Sequence, residues 1–153
     1  QICRLIMFIM KRIILSASFI IATTCFSSLR AQCKTYTKKE CMPLLKPYIH
    51  NGQMNNITLF PGEDASLVQT FYSGQNYRIQ LCAQENLGDS VYFNVITEEG
   101  QLVYSTRNED ILYWDFKIAN TQNLKITVVV PNLVPLAEIE QNGCIAILVG
   151  FID

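Results

Sequence analysis

Beyond residue 50, apolar and polar positions alternate with a period of two, the spacing of a half-buried β-strand. The clearest run is residues 77–84: Tyr77, Ile79, Leu81 and Ala83 share one side, and Arg78, Gln80, Cys82 and Gln84 the other. Comparable runs predict strands over 53–60, 65–72, 91–96, 102–104, 112–118, 124–130 and 144–151. Turn chemistry separates them, at Asn51-Gly52, Pro61-Gly62, Ser73-Gly74, Leu87-Gly88-Asp89, Glu99-Gly100 and Thr121-Gln122-Asn123. About eight short strands in this rhythm predict an all-β fold, an antiparallel, jelly-roll-like β-sandwich, with a closed barrel as the alternative.

The front of the chain reads differently. Residues 1–32 carry Arg4, Lys11, Arg12 and Arg30 and no carboxylate. A basic stretch, the apolar run 13–22 and a small, polar exit have the layout of a secretory signal peptide, with cleavage expected after Gln32. A membrane anchor needs about 20 apolar residues, and residues 2–21 reach that length only by including Arg4, Lys11 and Arg12. A lipid-modified Cys33 is the lesser alternative, because Arg30-Ala31-Gln32 is a poor context for it. The expected organisation is a signal peptide over 1–32, an N-terminal helical segment over 33–50 and a β-sandwich domain over 51–153. The exported chain then has no membrane span and is secreted or periplasmic. Within the helical segment, Thr37-Lys38-Lys39-Glu40 has the form of a capping box, with Thr37 at the N-cap and Glu40 three residues on. Pro43 and Pro47 predict that the helix is short.

Removing residues 1–32 changes the electrostatics. The whole chain has a formal net charge of −1, but from Cys33 onward eight Lys and Arg face all thirteen carboxylates, a net charge of −5. Beyond Lys38-Lys39 there is no basic cluster, which argues against nucleic acid as a partner. Cys33, Cys41, Cys82 and Cys144 remain after cleavage, an even number in an exported chain, and disulfides are the default. Their separations, and a single imidazole at His50, do not fit a zinc site. If Cys33 and Cys41 lie on one helix they are about 12 Å apart along its axis, too far to pair with each other. Cys82 and Cys144 fall on the polar sides of their strands, and two arrangements are open. Either these two pair with each other and leave a local loop between Cys33 and Cys41, or the N-terminal segment covers the sheet and its cysteines reach down to it. The second also explains why a helix precedes an all-β domain.

Residues 74–130 resemble the pre-peptidase C-terminal type of β-sandwich found in secreted bacterial proteins. The shared features are Gly74-Gln75-Asn76-Tyr77-Arg78-Ile79, then Glu99-Gly100-Gln101-Leu102-Val103, then Trp114-Asp115-Phe116 and Leu124-Lys125-Ile126-Thr127-Val128. The exported chain as a whole, with its Cys-rich start and Gly143-Cys144 through Phe151, resembles exported Bacteroidetes-type proteins of uncharacterised function. The resemblance implies a fold and a compartment and brings no catalytic residues. The extension over 33–48 departs from ordinary domains of that type.

Candidate chemistry is sparse. Glu63-Asp64, Glu98-Glu99 and Glu109-Asp110 are acidic pairs. Calcium, which favours several loop oxygens, is the one candidate ion, but these residues read better as solvated turn charges, and no other cofactor is expected. Paired carboxylates for glycoside hydrolysis need a cleft that one small sandwich seldom offers. His50 reads as a turn residue, and no cysteine is expected to be free for nucleophilic catalysis. Tyr72, Tyr92, Tyr104 and Tyr113 fall out of phase with the apolar sides of their strands. Such aromatics stack on sugar rings or peptides, or are covered by the N-terminal segment. The expectation is a non-enzymatic binding or accessory module for carbohydrate or a cell-surface protein, the alternative being a structural protein–protein interaction domain of the cell envelope.

Overall fold

In the computed structural model, residues 28–87, 89–132 and 142–152 are described. The chain divides into two compact units, Gln1–Gln32 and Cys33–Asp153. All nine described strands belong to the second unit and form two antiparallel sheets, the architecture of a β-sandwich rather than a closed barrel.

The first sheet contains β1 (Ile49–His50), β2 (Asn55–Leu59), β4 (Asn76–Ala83), β7 (Tyr113–Lys117) and β9 (Gly143–Ile152). β1 and β2 both pair with β9, and the order continues through β4 to β7. The second sheet has the order β3-β8-β5-β6, from β3 (Asp64–Phe71), β8 (Gln122–Val129), β5 (Tyr92–Thr97) and β6 (Leu102–Ser105). The alternation seen in the sequence becomes the core. Ile79, Leu81, Ile145, Ile147 and Val149 of the first sheet meet Phe71, Phe93, Val95, Leu124, Ile126 and Val128 of the second. Between the two edge strands β6 and β7 an aromatic column closes the sandwich. Tyr104 stacks on Trp114 at 4.8 Å, and Trp114 on Phe116 at 4.0 Å.

Within the second unit, the segment from Cys33 to Tyr48 forms a third layer. α1 (Ser28–Tyr36) runs into a π-helical turn over Thr37–Cys41 and a 3-10 turn over Met42–Leu45. The expected capping box is corrected here: Thr37 does not start a helix. It is fully buried, and its hydroxyl donates to the carbonyl of Cys33, one turn back, at 2.9 Å. Cys33, Thr37, Cys41 and Leu45, spaced by four, are a buried stripe against the sheet. The two-residue strand β1 comes after this layer and has no counterpart in the sequence pattern.

Candidate functional site: the open face of the second sheet

The two outer faces of the sandwich have different fates. On the first sheet, Cys82, Ala146 and Leu148 point outward and are covered by Cys41 and Leu45, with Tyr36, Met42 and Tyr48 around them. Two disulfides hold the cover down, Cys33–Cys144 with Cα atoms 5.3 Å apart and Cys41–Cys82 at 5.6 Å. The N-terminal cysteines therefore reach the sheet, one on β9 and one on β4. Coverage on both sides explains why the first eight residues of β9 are all buried.

Arg78 locks the edge of this cover. Its Nε and Nη2 donate to the two carboxylate oxygens of Asp115, each at 2.6 Å, and its Nη1 donates to the Lys46 carbonyl at 3.3 Å. The guanidinium lies over the rings of Tyr48 and Tyr113, 4.7 and 4.4 Å from their centroids. Burial, with Asp115 close by, raises the Tyr48 phenol above its ordinary pKa.

No described element covers the outer face of the second sheet. Strand register arranges its side chains in rows. Ser66 lies opposite Thr127, Thr127 opposite Asn94, and Asn94 opposite Ser105, so hydroxyls and an amide cross all four strands. Neighbouring strands are about 4.8 Å apart, which makes this a regular ladder of donors and acceptors. Among the described residues, the side chains of Ser66, Asn94 and Thr127 have no hydrogen-bond partner. A second row runs Val68, Lys125, Ile96 and Leu102, with Val68 65% and Leu102 57% exposed. At one end Tyr92 presents a half-buried ring with the Arg107 guanidinium 5.4 Å from its centroid. At the other end the Thr70 hydroxyl donates to Asn123 Oδ1 at 2.7 Å, and Asn123 Nδ2 donates to Glu98 at 2.8 Å. Tyr72, the residue after β3 next to that network, is 61% exposed.

The four tyrosines singled out by sequence are thus separated. Tyr92 and Tyr72 belong to the open face and its end. Tyr113 sits on the covered side under Arg78. Tyr104 packs inward against the core, beside Trp114 and Phe93. The polar row escapes a reading centred on aromatics, although its signal is present: Ser66, Asn94, Ser105 and Thr127 are the polar members of the alternating strands.

Among the described residues, groups suited to catalysis do not converge. Cys33, Cys41, Cys82 and Cys144 are all in disulfides. His50 Nδ1 accepts from the Gly52 N–H at 3.2 Å in a turn. Glu63 accepts from the Phe60 N–H at 2.8 Å and Glu98 accepts from Asn123, so two of the acidic pairs brace turns and a strand end. Among the described residues, no group of three or more His, Cys, Asp and Glu is placed to hold a metal ion.

No protein-family model and no curated protein matches the sequence. Solved structures similar in fold include PliG of Aeromonas hydrophila, a periplasmic lysozyme inhibitor of g-type lysozyme. It is 12% identical, with a TM-score of 0.49, over 65% of this chain and 85% of that one. Another is the CBM36-1 domain of a multidomain xylanase from the hindgut metagenome of Trinervitermes trinervoides. It is 18% identical, with a TM-score of 0.31, over 71% of this chain and 93% of that one.

Proposed function

We propose that this protein is an exported, non-catalytic binding module that takes a glycan on the open face of its second sheet. The observation that carries this reading is the asymmetry of the sandwich. One outer face is sealed by a disulfide-held layer, while the other is left bare by the described residues, with a row of hydroxyl and amide groups of which Ser66, Asn94 and Thr127 have no partner among them and Ser105 accepts from the Arg107 N–H. A flat polar ladder flanked by Tyr92 with Arg107 suits a ligand that offers hydroxyls in sequence and an apolar ring face for stacking. Two disulfides fit an oxidising compartment, secreted or periplasmic. Among the described residues, no helix is long and apolar enough to cross a membrane.

The test is a glycan array with the oxidised protein, followed by titration calorimetry on any ligand found. Asn94→Ala combined with Thr127→Ala should weaken binding about tenfold or more, and Tyr92→Ala should do the same. Lys39→Ala, in the covering segment, should leave it unchanged. Absence of any bound glycan, or binding indifferent to the face variants, overturns the assignment.

A further inference from the structure

Cations are scarce on the sandwich and unevenly placed. Residues 51–153 contain Arg78, Arg107, Lys117 and Lys125 against twelve carboxylates, a net charge of −8. Arg78 is paired with Asp115, and Lys117 lies on β7 of the first sheet. The other two belong to the open face, Arg107 at one end beside Tyr92 and Lys125 in the middle. Lys125 is exposed, between Val68 of β3 and Ile96 of β5, and its ammonium has no ion pair or hydrogen bond among the described residues. Glu98 follows β5 on the diagonal from it, but that carboxylate is held by Asn123 Nδ2 at 2.8 Å. Asp64 lies opposite Val129, four residues along β8 from Lys125, a distance of about 13 Å. The chain also leaves β8 at that far end, on its way to β9 in the other sheet. Lysines on sheets commonly guard edge strands, but β8 is paired on both sides, with β3 and β5. The Lys125 charge therefore serves neither an edge nor an ion pair among the described residues.

Resting on the reading of this face as a glycan site, we infer that the glycan is acidic, with a carboxylate or sulfate group held by the Lys125 ammonium. Thr127 is two residues further along β8 on the same face, about 7 Å away. A sugar lying between the two rows offers hydroxyls to Thr127 and Asn94 and its anionic group to Lys125. Val68 and Ile96 flank the ammonium with apolar groups. Such surroundings lower the local dielectric and strengthen a charge-assisted hydrogen bond. A chain crossing the face then meets one cation in the middle and a second, Arg107, at the Tyr92 end, while Asp64 and Glu98 stand only at corners. A neutral glycan satisfies the polar row equally well but leaves Lys125 unused. The row thus supplies affinity common to many glycans, and Lys125 selects among them. Lys34, Lys38, Lys39 and Lys46 form another basic surface, on the cover at the opposite side of the sandwich, and the test has to separate the two.

The experiment is an array of uronate and sulfated oligosaccharides, each beside its methyl-esterified or desulfated counterpart, read with the oxidised, exported protein. Acidic members should bind about tenfold or more tighter than their neutral counterparts, and added salt should narrow the gap. Which acidic series binds tells carboxylate from sulfate. Lys125→Gln, at an exposed position and still polar, should abolish the preference while neutral glycans bind as before. Lys125→Arg should retain it. Lys38→Gln combined with Lys39→Gln, on the cover, should leave it unchanged. Equal binding of acidic and neutral members overturns the inference, as does a preference that survives Lys125→Gln or is lost with the cover variant. Neutral glycans bound through Asn94 and Thr127 with no acidic preference refute the acidic ligand and leave the glycan site standing. No glycan bound at all refutes both.

Discussion

Arg78 shows how one side chain can hold a layer in place. It is 14% exposed, and its contacts reach β7 through Asp115 and the covering segment through the Lys46 carbonyl and the Tyr48 ring. Removing it leaves the Lys46 carbonyl and a partly buried carboxylate without their donor. Arg78→Ala should cost about 2 kcal/mol in chemical denaturation. Arg78→Lys should recover only a minor part, because an ammonium cannot make the bidentate pair or lie flat between two rings. A lysine variant as stable as the native protein refutes the clamp. Tyrosines supply a second prediction at this scale. Burial, helped by nearby carboxylates, raises the phenols of Tyr36, Tyr48 and Tyr104 above their ordinary value. The folded protein therefore keeps protons that the unfolded chain releases. Their contribution is complete below about pH 10 and is lost as pH rises through the folded values. Phenolate absorbance should show these three tyrosines titrating late, with stability falling over the same range. If Tyr36, Tyr48 and Tyr104 titrate at the ordinary tyrosine value, the burial argument fails.

At the scale of elements, the close packing of cover on sheet depends on Gly150. A Cβ there would come within 2.8 Å of Tyr48 Cβ and 3.0 Å of Leu45 Cγ. Gly150→Ala should therefore push the cover off its seat and cost about 1–3 kcal/mol, read from thermal melts. Unchanged melting would mean the cover shifts freely. Most of the strands were legible because alternate side chains turn apolar groups to the core between the sheets, and a period of two is the spacing of a strand. Their edges agree with the pattern to within a residue or two. The cover was harder to read. Thr37 and Glu40 imitate a helix start, but Thr37 belongs to the four-residue stripe from Cys33 to Leu45. That stripe is recognisable only once a sheet is known to lie beneath it. The separated tyrosines teach the same lesson. Alternation tells which side a residue takes, but not whether that side is covered. Tyr104 faces inward and Tyr92 outward from strands that pair with each other. Nor does local pattern show that β2 and β3, joined by a tight turn, pair with different partners and leave a groove between them.

The second unit, Cys33–Asp153, is a sandwich whose third layer is attached by covalent bonds as much as by packing. The bonds close separations of 41 and 111 residues. In the chain-entropy view they restrict the unfolded chain by about 4 and 5 kcal/mol respectively, since the dependence on loop length is logarithmic. Replacing Cys41 and Cys82 together by Ser, or Cys33 and Cys144 together, should each cost about 2–5 kcal/mol, the longer link costing slightly more. The structural consequence separates this from a general loss of stability. The core between the sheets contains none of the four cysteines, whereas the smaller cluster outside the first sheet contains Cys41 and Cys82. Reduction should therefore release the cover first and uncover Ala146 and Leu148. The result should be increased binding of a hydrophobic dye and rapid exchange of covering-segment amides, at temperatures where β5 and β8 amides remain protected. If all amides lose protection together on reduction, cover and sandwich are one cooperative unit and the layered account is wrong. If protection in the cover survives reduction, packing alone holds it, and the disulfides are not what attaches the layer.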